Sequence, residues 1–214
     1  MQTTLGRDGR LGAEAVLDGR VCDCCQTGAA PVEGGVLVVY RDRSETEVRD
    51  ISFVRFADGR WSAPRTLAPD GWEIDGCPVN GPAIAARGRR VAVAWFTAPR
   101  EGPAVRVAFS ADAGATWSRP FPVDDGRPIG RVDVVLLPDG DAFVSWMEQT
   151  AEGVELRARR IGRRGERGPA ITIANSSAAR SSGFPRMEMG GDEIVFAWRD
   201  PAEPARVRTA VLGW

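Results

Sequence analysis

Short runs of alternating apolar and polar or small residues recur along the whole chain, and four of them share one layout. Each begins at a turn, runs as a strand and carries an aromatic residue near its end: GGVLVVYRD (34–42), RRVAVAWFT (89–97), GDAFVSWME (140–148) and DEIVFAWRD (192–200). The aromatics are Tyr40, Trp95, Trp146 and Trp198, spaced by 55, 51 and 52 residues. No segment carries the 3.6-residue period of an amphipathic helix. A period near fifty filled by strands and turns predicts propeller blades of four strands each. The four aromatic-bearing strands are expected to be the inner strands, fanned around one axis.

Each of the first three aromatics is followed by a second pair of strands joined by a tight turn: VRFADGRWSAPRTL, VAFSADAGATWSRPFPV and RARRIGRRGERGPAITI. The middle copy holds Ser110, Asp112, Gly114, Thr116 and Trp117 in the pattern S-x-D-x-G-x-T-W. Such a pattern makes a hairpin: Asp112 accepts N–H groups across the turn, Gly114 takes a positive φ, and Trp117 packs back between the sheets. The copy with Asp58, Gly59, Trp61 and Pro64 is degenerate, and the one around Gly165 and Pro169 is weaker still. These residues are structural, not catalytic.

In this pattern and its place in the repeat the chain resembles the bacterial sialidase-like propellers with Asp-box (BNR) repeats. The resemblance covers nearly the whole chain and implies an all-β fold of the six-bladed sialidase type. Four repeats are present, preceded by TTLGRDGRLGAEAVL, which looks like the outer strands of an earlier blade. Residues 1–214 are therefore expected to form a single propeller domain of about four blades, an incomplete ring lacking N-terminal blades.

Composition narrows the chemistry. All 28 basic residues are arginine, balanced by 29 acidic ones for a net charge of -1, and histidine is absent. So even a balance offers no field for nucleic acid. Without histidine there is no Ser-His-Asp triad or His-containing zinc site, and without lysine no Schiff base or P-loop. No run approaches the roughly 18 apolar residues of a membrane span, and MQTTLGRDGR has no signal-peptide h-region. The full-length form is nevertheless expected to be secreted or periplasmic, its export signal lying in the missing part.

All four cysteines fall in two short segments, VCDCCQT (Cys22, Cys24, Cys25) and GCPVNGP (Cys77). Relative to the repeat aromatics, Cys22 and Cys77 occupy one register position, while Cys25, Asn80, Arg131 and Gly183 occupy another. Equivalent positions in adjacent blades meet at the mouth of the axis, so the cysteines are expected to converge there. Two chemistries fit: a thiolate site for a soft metal, Cu(I) or Zn(II), or one or two disulfides in an exported protein. Both remain open at the level of sequence.

The same face should present Arg41, Arg49, Asp50, Asp75, Asn80, Arg131 and Arg186, with Trp72, Asp133, Arg199 and Asp200 near them. Arginines around a concave mouth suit a carboxylate, and Arg–Asp ties between blades account for them equally well. A small molecule, a glycan or a protein is the expected ligand.

The resemblance also implies a catalytic test. Sialidases hold the substrate carboxylate with three arginines and use a Tyr-Glu nucleophile pair with an aspartic acid as acid/base. Here the Phe-Arg-Ile-Pro arginine has no match, because Gly183-Phe184-Pro185-Arg186 has the wrong order and place. The only tyrosine, Tyr40, stands at the packing position of the repeat, and Glu148 and Asp50 belong to no motif. The expected function is ligand or soft-metal binding at a Cys/Arg-rich face without a complete sialidase set. Two alternatives stand beside it: a glycoside hydrolase whose remaining catalytic groups lie in missing blades, and a disulfide-stapled interaction scaffold.

Overall fold

The computed structural model describes residues 1–200 and 202–213. Its strands form four antiparallel sheets in chain order, with a single short 3-10 turn at Arg180–Ser182 among the described residues. The first sheet holds β1 (Gly28–Val32), β2 (Gly35–Arg41), β3 (Ile51–Ala57), β4 (Arg60–Trp61) and β5 (Arg65–Ala68). The second holds β6 (Ala83–Arg87), β7 (Arg90–Thr97), β8 (Ala104–Ser110) and β9 (Phe121–Pro122). The third holds β10 (Pro128–Leu136), β11 (Ala142–Gln149), β12 (Val154–Ile161) and β13 (Ile171–Ser176). The fourth holds β14 (Arg186–Gly190), β15 (Glu193–Asp200) and β16 (Arg206–Gly213).

Successive first strands pack on one another in the order β1, β6, β10, β14. All four line one cavity of about 330 Å³ that marks the axis. The repeat aromatics therefore sit on the second strand of each sheet, not on the innermost one as the pattern suggested. The reason lies in composition: next to the crowded axis, β1 reads GAAPV and β6 AIAAR, small residues without a strong alternation. Tight turns such as Glu33-Gly34, with Gly34 at φ 77°, then fold the chain back into the apolar second strand.

Three apolar clusters fill the three sheet-to-sheet seams. Leu37, Val39 and Phe53 meet Val91, Val93 and Trp95 between the first and second sheets. Phe96, Val107 and Phe109 meet Val134, Val144 and Trp146 between the second and third. Val135 and Phe143 meet Met187, Ile194 and Phe196 between the third and fourth. Each repeat tryptophan thus faces the preceding sheet. Tyr40, which has no preceding sheet in this chain, instead donates its hydroxyl to Asp18 Oδ2 at 2.6 Å.

In the hairpin of the S-x-D-x-G-x-T-W segment Asp112 Oδ1 accepts from the Thr116 N–H at 2.8 Å and from Ser110 Oγ at 2.8 Å. Gly114 takes φ 83°, and a Cβ there would collide with Leu37. Trp117 packs edge-on against Phe53, with centroids 5.6 Å apart. The hairpin therefore closes the outer edge of the first seam.

The ring is not closed. Residues 1–16 form a small hairpin through Gln2↔Ala15 and Leu5↔Leu11 bridges and join none of the sheets among the described residues. At the other end Val207 is 79% exposed and Val211 58%. Among the described residues no helix is long and apolar enough to cross a membrane.

Candidate functional site at the axial mouth

Two loops enter neighbouring sheets side by side. The stretch before β1 is anchored by the Cys22 N–H to the Arg41 carbonyl at 3.0 Å. The stretch before β6 is clasped by Gln26, whose side-chain amide accepts from the Gly81 N–H at 3.0 Å and donates to the Gly81 carbonyl at 3.3 Å. A side chain on Gly81 would strike the Gln26 carbonyl, so the close approach of the loops requires glycine here.

This juxtaposition brings all four cysteines together. Cys24 and Cys77 form a disulfide across the two loops, with Cα atoms 6.1 Å apart. Cys22 and Cys25 remain thiols. Cys22 Sγ lies 3.0 Å from Cys25 Sγ and 3.5 Å from Cys24 Sγ, and all three sulfurs fall within 4.8 Å of one another. Equal register does not select the bonded partner: Cys22 and Cys77 share a repeat position, yet it is Cys24 that bonds Cys77. Burial, reinforced by the Cys22 thiol, pushes the Cys25 thiol up to about 11, while the charge on Arg41 acts in the opposite sense.

Arg41 is 1% exposed. Its guanidinium donates to the carbonyls of Asn80 (2.7 Å), Arg49 (2.5 Å) and Phe96 (2.5 Å), and lies over the Trp72 ring at 4.8 Å. Among the described residues no carboxylate comes within 4.0 Å of it. Burial lowers its pKa. The acidic groups that act most strongly against that lowering are Cys25 and Cys22, ahead of Asp70 and Asp50.

The remaining candidates divide by location. Asn80 links the second and third sheets, donating to the Ile129 carbonyl at 3.2 Å and accepting from the Arg131 N–H at 2.7 Å. Arg131 reaches onward to the carbonyls of Gly183 (3.0 Å) and Ala179 (2.8 Å). A cavity of about 170 Å³ is lined by Cys77, Asn80, Arg131, Arg180 and Phe184. Arg49 is buried and paired with Glu47 at 2.5 Å. Asp50 accepts from the Gly71 N–H at 2.8 Å, and burial raises its pKa. Asp75 and Arg186 line separate cavities, and Arg186 pairs with Asp133 at 3.2 Å. The side chains of Arg41, Asn80 and Arg131 are thus spent on ties between sheets.

Sequence reasoning passed over Gln26. Its signal was adjacency: it follows Cys25, and its clasp on Gly81 parallels the grip of Asn80 on the backbone around Arg131. For Tyr40, burial and the neighbouring Asp18 carboxylate raise its pKa far above the usual phenol range.

No protein-family model matches the chain, and no curated protein does. Solved structures match in shape. A protein of unknown function from Dyadobacter fermentans aligns with TM-score 0.60 and 14% identity over 87% of this chain and 60% of its own. The Trypanosoma rangeli sialidase aligns with TM-score 0.55 and 9% identity, covering 97% of this chain and 38% of that one. The GH43 protein BlXynB from Bacillus licheniformis gives TM-score 0.56 and 12% identity, with 91% and 40% covered. The likeness is one of fold. The chain spans about two fifths of the length of the sialidase and of the GH43 protein.

Proposed function

We propose that this chain is part of a sialidase-like propeller that binds a soft metal ion on cysteine sulfurs at its axial mouth, and that it lacks a sialidase's catalytic set. The observation that carries this is the trio of Cys22, Cys24 and Cys25, with sulfurs within 4.8 Å of one another. Thiolates are preferred ligands of Cu(I) and Zn(II). Cys22 and Cys25 are the free ligands, and Cys24 and Cys77 become available when their disulfide is reduced.

The Cys24–Cys77 bond favours a second reading, a stapled scaffold whose axial face binds a glycan, a small molecule or a protein. Because disulfides persist in oxidising compartments, the bond also supports a secreted or periplasmic full-length protein. Part of the proposal is that further sheets outside this chain complete the ring; the exposed valines of β16 support it.

The test is reconstitution with Cu(I) or Zn(II), followed by gel filtration and elemental analysis. About one ion per chain should be retained by the wild type and none by Cys22→Ser/Cys25→Ser. Equal metal content in the two proteins would favour the scaffold. The chain should release no sialic acid from a generic substrate, and turnover abolished by Tyr40→Phe would contradict this.

A further inference from the structure

A buried charge must be balanced, because leaving an ion uncompensated inside a protein costs several kcal/mol or more. Arg41 is the cation at this mouth. Each of its three nitrogens donates to a neutral carbonyl, and none of these partners carries a charge to balance its own. The nearby carboxylates are otherwise engaged: Asp70 pairs with Arg106 and accepts from Trp95 Nε1 at 2.6 Å, and Asp50 accepts from the Gly71 N–H. Beside Arg41 instead runs the cysteine loop, tied to it by the Cys22 N–H on the Arg41 carbonyl at 3.0 Å and carrying the two free thiols.

With the Cys24–Cys77 bond intact, the site offers two ionisable sulfurs, Cys22 and Cys25. A monovalent ion taken up by both displaces two protons, M⁺ + 2 RSH → [M(SR)₂]⁻ + 2 H⁺, and leaves a complex of charge minus one. A divalent ion on the same two sulfurs leaves a neutral complex. Zinc also favours four donors, two of which are locked in the disulfide. Only the monovalent complex supplies the single negative charge that Arg41 lacks.

Building on the metal-site reading above, we infer that the disulfide-intact chain is built for a monovalent soft cation, Cu(I) or its analogue Ag(I), with Arg41 as the fixed counter-charge that sets this selectivity. Arg41 is here a positioning residue that touches no metal; it acts through the field it imposes on the two thiolates.

The experiment uses the oxidised chain without reductant, titrated separately with Ag(I) and Cd(II). Thiolate-to-metal absorption gives the affinities, and native mass spectrometry gives the number of protons displaced. One Ag(I) should displace two protons. The ratio of Ag(I) to Cd(II) affinity should fall at least a hundredfold in Arg41→Met and stay within tenfold of wild type in Arg41→Lys. Should the Met variant fail to fold, Asn80→Asp is isosteric and places a carboxylate beside the same mouth; it should lower the ratio at least tenfold. A ratio unchanged in the folded variants, or a Cd(II) affinity that falls as far as that for Ag(I), would overturn the assignment of Arg41. If wild type and Cys22→Ser/Cys25→Ser retain neither ion, the metal-site reading itself fails.

Discussion

The seam between the first two sheets and the seam between the last two solve the same problem with different chemistry. In both, a buried arginine from one sheet caps backbone carbonyls beyond it: Arg41 those of Asn80 and Phe96, Arg131 those of Ala179 and Gly183. Opposite Arg131 stands Phe184, with the guanidinium 5.8 Å from its ring, and beside it Asp133 takes the Met187 N–H at 2.7 Å. At the first seam the loop hydrogen-bonded to the Arg41 carbonyl carries three cysteines, one of them bonded across the seam to Cys77. An apolar seam with one guanidinium and a few carbonyls at its mouth thus joins two sheets without sulfur. The cysteines at the first seam are more than joining requires, and this surplus is what points to a site there.

Among the ties at the two mouths, breaking the covalent one should have the largest effect. The Cys24–Cys77 bond links residues 53 positions apart, and closing a loop of that size contributes about 4 kcal/mol in the chain-entropy account. Cys24→Ser/Cys77→Ser should lose about that much in urea unfolding, and reductant should do the same to the wild type. Hydrogen exchange in β14 should be unaltered by reductant if the last seam is purely noncovalent.

Cutting the polar tie should cost less. Arg131→Met leaves the Ala179 and Gly183 carbonyls without their donor, an expected loss of about 2–3 kcal/mol, with exchange accelerated in β14 and β15 but not in β2.

Asp133 adds a pH dependence at the last seam. Burial raises its folded-state pKa above the ordinary value of 3.8. Folding therefore favours the protonated form, so its contribution is full below that value and is lost as pH rises through the raised one. Wild type should accordingly lose stability relative to Asp133→Asn as pH increases from about 3.8, and parallel stability curves would contradict the burial of this carboxyl.

The smallest effect is expected at the open end of the ring. Val207, 79% exposed, should tolerate Val207→Thr within about 0.5 kcal/mol. By contrast, Trp146→Ala inside a covered seam should cost about 3–5 kcal/mol.

Much of the fold was legible because each blade repeats one strong signal, an apolar strand ending in an aromatic, at nearly constant spacing. The first strands were not, since β1 and β6 are made of small residues whose place is set by closeness to the axis and not by alternation. At the site, repeat register announced that the two cysteine segments meet, but register fixes only backbone positions. Which sulfur bonds Cys77 depends on how the 22–25 turn aims its side chains. The role of Arg41 was illegible for a related reason: its three acceptors come from residues 49, 80 and 96, and no local pattern tells that they converge.

The most direct test of the metal site is a thiol count on the chain prepared without reductant. Denatured protein should show two reactive thiols, those of Cys22 and Cys25, and a single equivalent of Ag(I) added to the folded chain should mask both together. Masking of one thiol per equivalent, or two thiols left fully reactive after equimolar Ag(I), would contradict a shared site.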